Sequence, residues 1–476
     1  FGQAQAMNRH GGTECSDSAP TLAQYGCDSP ETLVSSAFDG VRQYYAGEIA
    51  AAAATTTTKP DFVILTGDFC RHQMEMLDNA KTKELPSILK NVLTKLRYKV
   101  GDDVPYLPMI GNDDAIPDYF LDITDASPTS LLKIMSNAFL ENQILTPDEA
   151  EMFGRGGFYK RQVGTHLTIL CLNTVIYSAS HVPAIPPYDQ DPLDQFTWLE
   201  QELKEAASTD HAVLIVGHIP PTIGSYAHMD MWREDYRSLY NQIVIKYQPT
   251  IQAQLFGHFH TDEFRLHDQM PPLFIGPSIT PVFRNNPAFR IMHYDRSSGE
   301  LQDIESYSLN ITDPSAEWKK LYSFREAYGM VDLSTASFRL LVDRLSTEKQ
   351  LLQDFLFHSK SGVLAPKAIR CLEDTETCAQ TWVCTITSET SEVYGECLNT
   401  TNKAKNTLLW IGLGISLGLL LFVAWIIFRV CRLRRRRSQY DIPCDKTIVD
   451  TNNGNGGVTV KGGDMDELPV KGKEII

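Results

Sequence analysis

From residue 61 to residue 264 the chain repeats one pattern, in which a short apolar run ends in polar residues and is followed by an amphipathic stretch. Runs of four to eight apolar residues predict buried strands, and the stretches between them have the period of helices. Strands that alternate with helices indicate a layered α/β fold. The predicted strand regions are 61–68, 104–114, 165–174, 211–221 and 251–264, and the predicted helices include 31–53, 84–98 and 196–206.

The first helix has a clear start signal in Ser29-Pro30-Glu31. A serine hydroxyl can cap the helix, and proline is favoured at the first helical position. In open α/β sheets, ligands bind beyond the carboxyl ends of the strands. The polar residues that end each apolar run are therefore the candidates for function.

One segment near the C-terminus differs from all the others. Thr407 to Phe428 is 22 residues long and carries no charge, which at the helical rise is about 33 Å and enough for the hydrocarbon layer of about 30 Å. Six arginines follow within nine residues, so the positive-inside rule places this end in the cytosol. The sequence predicts a single-pass type I membrane protein, with the preceding residues outside the cell or in a vacuolar or lysosomal lumen.

Composition narrows the function classes. The 476 residues include 43 basic and 59 acidic side chains, for a formal net charge of −16. A strongly acidic chain lacks the cations that neutralise phosphates, so we expect no nucleic-acid-binding role. Hydrophobic residues make up 43% of the chain, which excludes global disorder.

The cysteines and glycosylation sequons agree with a secretory route. Cysteines cluster in even numbers before the predicted span and near the N-terminus, which favours disulfides, with their connectivity open. Zinc binding is the rival interpretation, but the four clustered cysteines lack a CxxC spacing. The candidates are Cys15, Cys27, Cys371, Cys378, Cys384 and Cys397 for disulfides, and Asn310 and Asn399 for glycosylation.

Four short motifs at predicted strand ends combine glycine with metal-binding residue types. They are Gly67-Asp68 with His72, Gly111-Asn112-Asp113-Asp114, Gly217-His218, and Gly257-His258-Phe259-His260. Carboxylate, amide oxygen and imidazole bind hard to borderline divalent cations. Each motif alone is weak, but four at successive strand ends predict one metal site.

These motifs resemble the calcineurin-like metallophosphoesterases. The GDxxxH, GHIPP and FGHFHTDEF segments, with the segment from Pro277 to Arg290, are similar to the branch of acid sphingomyelinase-like phosphodiesterases and endopolyphosphatases. The resemblance covers roughly residues 10–380 and implies a layered sandwich of two sheets flanked by helices, to which the transmembrane helix is added. It also implies two divalent ions that activate a water for hydrolysis of a phosphoester or phosphoanhydride.

The resemblance assigns roles to individual residues. Asp68 would bridge the two ions, His260 would bind the first, and His72 would donate a proton to the leaving group. The second ion would be bound by Asn112, His218 and His258. Imidazole ligands favour zinc, and the mixed ligand set also suits manganese or iron.

Two features depart from the family pattern. The Asp-x-His motif of the first family strand does not occur before Asp68, so we expect an N-terminally truncated sequence that lacks this strand. Asp113, the second catalytic candidate, stands where most relatives have a histidine. Endopolyphosphatase-like relatives also lack this histidine. An ionised carboxylate there would repel a substrate phosphate, so the departure bears on substrate preference.

The predicted organisation has four parts. Residues 1–310 form the phosphoesterase domain, 311–406 a helical, Cys-rich extension, 407–428 the span, and 429–476 a tail that is basic and then disordered. The leading function is an acid sphingomyelinase-like phosphodiesterase. The alternatives are an endopolyphosphatase or nucleotide phosphoanhydride hydrolase, and a non-catalytic membrane receptor on a decayed hydrolase scaffold.

Overall fold

The computed structural model describes residues 15, 22–48, 59–186, 188–399, 418–430 and 432. Contacts divide the chain into two compact units, Phe1–Lys405 and Asn406–Ile476. The first unit contains every strand and helix labelled below. Its helices are α1 Glu31–Tyr45, α2 Leu85–Val100, α3 Leu131–Glu141, α4 Pro147–Gly156, α5 Gln195–Ser208, α6 Glu234–Lys246, α7 Phe324–Tyr328, α8 Thr335–Thr347, α9 Lys349–Ser359, α10 Pro366–Glu373 and α11 Thr375–Thr387.

The largest sheet has six strands in the order β3-β4-β5-β6-β8-β7. Neighbouring strands from β4 to β8 are parallel, while β3 and β7 pair antiparallel at the two edges. Every residue of β4 and β5 is buried, as expected for parallel strands covered on both faces. The strands are β3 Tyr159–Val163, β4 Leu167–Cys171, β5 Ala212–Val216, β6 Ile251–Phe256, β7 Glu263–Arg265 and β8 Leu273–Ile275.

Two smaller sheets complete the described strands. A parallel pair consists of β1 Val63–Leu65 and β2 Tyr106–Pro108. The antiparallel order β11-β10-β9 joins β9 Ala288–Tyr294, β10 Leu301–Ser308 and β11 Lys319–Ser323. The prediction of an α/β fold with sheets flanked by helices is confirmed, but the described strands fall into three sheets instead of two.

Helix α1 packs on the three-stranded sheet through a small second core. Gly40 allows this close approach, because a Cβ atom at Gly40 would lie 2.8 Å from Cγ of Trp318. The Trp318 indole donates a hydrogen bond of 2.9 Å to Ser36. The predicted cap is wrong in detail: the helix begins at Glu31 with Pro30 as its N-cap residue, and the buried hydroxyl of Ser29 has no hydrogen-bond partner among the described residues.

The C-terminal part of the first unit is a strand followed by helices. Strand β11 pairs with β10 across position 310, and α7 to α11 follow it. Disulfides join Cys15 to Cys27, Cys371 to Cys378, and Cys384 to Cys397, which confirms the predicted disulfide set and settles the open connectivity. The predicted division of the chain into four parts stays a prediction.

The predicted membrane span is only partly described. Residues 418–430 are helical and expose their apolar side chains, whereas 407–417 and nearly all of the predicted tail lie outside the described residues. Among the described helices, none is both long and apolar enough to cross a membrane.

Candidate metal centre

The four sequence motifs lie on the loops that leave the carboxyl ends of β1, β2, β5 and β6. Asp68 follows β1 and Asn112 follows β2, while His218 and His258 follow the parallel neighbours β5 and β6. Parallel strands end at the same edge of a sheet, so these loops meet at one place.

Glycine is required where the loops after β1 and β2 touch. A Cβ atom on Gly67 would lie 2.6 Å from the backbone nitrogen of Gly111, and one on Gly111 would lie 2.1 Å from Oδ1 of Asp68. Gly67 also has a positive φ of 94°, which only glycine adopts without strain. The two motif glycines therefore let the backbones approach closely enough for Asp68 and Asn112 to share one site.

Three of the predicted ligands converge tightly. Ligand atoms of Asp68, His218 and His258 all lie within 4.8 Å of one another. Nε2 of His218 lies 3.0 Å from Oδ2 of Asp68 and 2.9 Å from Oδ1 of Asn112. The structure thus brings together the four residues that the resemblance assigns to the second ion.

The hydrogen bonds behind these ligands orient them for a cation. Nδ1 of His218 lies 2.6 Å from the carbonyl oxygen of Thr66, so Nδ1 donates its proton there and Nε2 keeps a lone pair. The Asn112 amide nitrogen donates to Asp118 at 2.9 Å, which turns its oxygen towards Nε2. Two oxygens and one ring nitrogen therefore point lone pairs at a common place. Such an arrangement is repulsive unless a proton or a metal cation lies between them, so the residues fit a divalent ion.

The other predicted residues line the same cleft. His260 is buried, and its Nδ1 has no hydrogen-bond partner among the described residues, as expected for a nitrogen available to a metal. The imidazole of His72 lies between Asp28, at 2.7 Å from Nδ1, and Asp113, at 3.4 Å from Nε2.

Burial and charge set protonation states that suit a metal. Burial lowers the pKa of both His258 and His260 to about 3, so these rings are neutral and free to act as ligands at neutral pH. Although burial opposes it, His218 holds the pKa of Asp68 well below its usual range, because without a metal cation the proton between the two is on His218, whose own pKa Asp68 raises; Asp68 is therefore ionised.

The pKa of Asp113 is shifted in the opposite direction to that of Asp68. Burial, followed by the charge of Asp68, raises the pKa of Asp113 to about 8. Without a bound cation the carboxyl therefore keeps its proton at neutral pH, which would remove the repulsion of a substrate phosphate that the sequence predicted. This result follows from burial, which the GNDD motif alone does not indicate.

Asp114 belongs to the second motif, but the sequence assigned it no role. It is fully buried, and its carboxylate accepts four backbone N–H bonds. One oxygen accepts from Asp68 and Gly111 at 2.9 Å each, and the other from Phe69 and Cys70 at 2.8 and 3.2 Å. The carboxylate thus ties the loop after β1 to the loop after β2, a role that no local pattern signals.

Three further positioning contacts were also missed. The hydroxyl oxygen of Thr174 accepts bonds from the backbone nitrogens of His218 and Ile219, at 3.1 and 2.8 Å. The hydroxyl of Tyr119 lies 3.3 Å from Nε2 of His258. Asp28 contacts His72 across 44 residues of sequence. All three depend on long-range contacts.

Comparison with known proteins agrees with this centre. The family described as calcineurin-like phosphoesterase matches residues 37–262, and the acid sphingomyelin phosphodiesterase C-terminal region matches residues 269–404. Sphingomyelinase phosphodiesterase D of Dictyostelium discoideum is 29% identical over 379 residues, covering 76% of this chain and 81% of that protein.

Mammalian relatives show similar coverage. Human acid sphingomyelinase-like phosphodiesterase 3b is 29% identical over 398 residues, covering 79% of this chain and 81% of that protein. A cyclic GMP-AMP phosphodiesterase of Bos taurus is 28% identical over 356 residues, covering 71% and 74%. With its metal-ligand residues gathered in one cleft, this chain is similar to the calcineurin-like phosphoesterases over residues 37–262 and to the acid sphingomyelin phosphodiesterase C-terminal region over residues 269–404.

Proposed function

We propose that this protein is a metal-dependent phosphodiesterase that hydrolyses its substrate in the cleft formed by the loops after β1, β2, β5 and β6. The observation that carries the proposal is the convergence of Asp68, His218 and His258 within 4.8 Å. Relatives named for sphingomyelin and for cyclic GMP-AMP are both phosphodiesterases by name, which supports a diester over a monoester.

The ligand residues fall into two groups, one for each metal ion. Asp68, Asn112, His218 and His258 would hold one ion, and Asp68 with His260 would contribute to the other. Two divalent ions at such a centre lower the pKa of a water and neutralise charge on the phosphate. Three imidazole ligands favour zinc, with manganese or iron as alternatives.

Protonation of the surrounding side chains fits this chemistry. A neutral Asp113 admits the phosphate without repulsion. His72 donates a proton to the oxygen of the leaving group as its bond to phosphorus breaks, a task suited to imidazole. A polyphosphate or nucleotide phosphoanhydride remains the alternative substrate, because Asp113 replaces the histidine of most relatives.

The first ion needs ligands beyond Asp68 and His260. A cavity of about 1590 Å³ extends from these residues between β1 and β9. Among the described residues, each of these strands pairs along one edge only, and all three residues of β1 are only partly buried. The cavity therefore borders the two residues assigned to the first ion.

We also propose that the enzyme is a glycosylated type I membrane protein with its catalytic domain outside the cell or in a vacuolar or lysosomal lumen. Three disulfides and the exposed positions of Asn310 and Asn399 support exposure to the secretory pathway. The uncharged segment 407–428 and the arginines after it supply the membrane anchor.

A substrate panel with and without chelator tests the function. Purified protein should contain about two divalent ions and hydrolyse phosphodiesters in a chelator-sensitive way. Asp68→Asn and His258→Ala should each lower activity more than about 100-fold, because even residues that only hydrogen-bond to metal ligands contribute 10–100-fold. His166→Ala, which removes an exposed histidine, is the matched control.

The panel also separates the alternatives. Preference for polyphosphate or nucleotides over sphingomyelin and cyclic dinucleotides would favour the phosphoanhydride function. A protein that binds no metal and hydrolyses nothing would refute the proposal and favour the receptor hypothesis.

A further inference from the structure

The histidine assigned to leaving-group protonation is held from behind by a carboxylate. Nδ1 of His72 lies 2.7 Å from Oδ1 of Asp28, and its Nε2 faces Asp113 in the cleft. Both side chains of the pair between His72 and Asp28 are largely shielded from solvent, with 13% of the His72 side chain and 19% of the Asp28 side chain exposed. An ionised carboxylate only accepts hydrogen bonds, so Nδ1 donates its proton to Asp28 and Nε2 is the nitrogen directed at the reaction.

The carboxylate of Asp28 has no competing role in the described residues. Its one hydrogen-bonding or ion-pairing partner there is His72. The helix that begins three residues later has Pro30 as its N-cap residue and no side-chain cap. Asp28 is therefore free to act on His72 alone.

The segment that carries Asp28 is anchored on both sides of the cleft. Asp28 directly follows Cys27, which is buried and bonded to Cys15. The backbone nitrogen of Gly26 donates to the carbonyl of Pro281 at 3.1 Å. Two residues beyond Pro281, the ring of Phe283 packs edge-on against His72 with centroids 5.9 Å apart. The imidazole is thus fixed by a carboxylate at one edge and an aromatic ring beside it.

We propose that Asp28 is a positioning residue for the reaction, which fixes the ring of His72 with Nε2 towards the leaving group, and that the Cys15–Cys27 disulfide holds Asp28 in place. The inference rests on the proposed function. As water attacks phosphorus and releases one proton to the solvent, the bond to the leaving oxygen breaks and its electron pair stays on that oxygen. The proton on Nε2 of the doubly protonated His72 ring moves to that oxygen, which leaves a neutral ring whose Nδ1–H stays bonded to Asp28.

The test compares substrates whose leaving groups differ in whether they need a proton from an acid. A nitrophenolate leaves without an acid, whereas an alkoxide needs one, and general acid catalysis contributes about 10² to 10⁴-fold. In the full chain, Asp28→Asn should lower kcat about 100-fold on a phosphodiester with an alcohol leaving group. On bis-p-nitrophenyl phosphate we expect a change of less than about threefold.

Two control variants match the carboxylate and the disulfide that the test variants remove. Asp39→Asn removes another carboxylate, which lies on α1 and pairs with Lys99 on α2, and should leave both rates unchanged. Cys15→Ser with Cys27→Ser should reproduce the leaving-group effect at about 10-fold, whereas Cys371→Ser with Cys378→Ser should not. Equal losses on both substrates, or no loss on either, would overturn the proposal, because a merely structural residue affects both rates alike.

A second measurement does not need activity. In protein labelled with ¹⁵N-histidine, the His72 ring is assigned by its loss in His72→Gln. Asp28→Asn should move the His72 signals away from the Nδ1–H form, and unchanged signals would contradict the proposal. If these signals change in a protein that hydrolyses no substrate, the positioning of His72 by Asp28 stands and the proposed function fails.

Discussion

The Asp114 carboxylate offers the sharpest test of how the centre is assembled. Asp114→Asn keeps the shape of the side chain but replaces one oxygen with an NH₂ group, which cannot accept. Two of the four backbone N–H groups, either those of Asp68 and Gly111 or those of Phe69 and Cys70, then lose their acceptor in a buried place. Each unsatisfied group costs about 1–3 kcal/mol, or about 2–6 kcal/mol for two.

Part of that loss is recovered. Burial and the charge of Asp68 raise the pKa of Asp114 to about 7, so removing the charge relieves repulsion between the two carboxylates. We therefore expect a net loss of about 2–4 kcal/mol in the free energy of unfolding at pH 7. Metal affinity should fall as well, because the loops that carry Asp68 and Asn112 are no longer tied together.

The assay is urea unfolding followed by tryptophan fluorescence, with metal binding measured by titration calorimetry. Asp313→Asn is the control, since Asp313 also accepts two local hydrogen bonds but is exposed; it should change the unfolding free energy by less than about 0.5 kcal/mol. If Asp114→Asn unfolds and binds metal like the parent protein, the carboxylate does not hold the two loops together and our account of the centre is wrong.

Two further predictions concern the C-terminal part of the first unit. Burial opposes the shift, but hydrogen bonds with His293, Lys320 and Tyr307 lower the pKa of Glu305 from 4.5 to about 2. The stabilising contribution of Glu305 is therefore complete above pH 4.5 and is lost as the pH falls towards 2. Glu305→Gln should lower the Tm at pH 6 and match the parent protein near pH 2, and a Tm difference that is independent of pH would contradict this. The disulfide between Cys384 and Cys397 joins residues 13 positions apart. Replacing both cysteines with serine should therefore lower the free energy of unfolding, measured in urea, by about 3 kcal/mol. Equal stability of the variant and the parent protein would show that the disulfide does not stabilise the fold.

Local patterns in the sequence determined the fold class and the ligand candidates. Alternating apolar runs and amphipathic stretches predicted β4, β5, β6, α2 and α5 close to their observed places, because burial on both faces of a parallel strand leaves a contiguous apolar run. The motifs around Asp68, Asn112, His218 and His258 were visible because glycine followed by a ligand recurs at each strand end. The same local patterns overestimated the lengths of β1, β2 and β6, which span only Val63–Leu65, Tyr106–Pro108 and Ile251–Phe256.

Only the tertiary structure decided how these residues work. The buried acceptor role of Asp114, the protonated state of Asp113 and the contact between Asp28 and His72 each join segments about 45 residues apart. The pairing of the cysteines and the close approach of Gly67 and Gly111 likewise follow from where loops meet. A periodic pattern indicates which face of a helix or strand is buried. The partner of a buried polar group depends on which distant loop the fold brings into contact with it, and that partner determines the charge of the group.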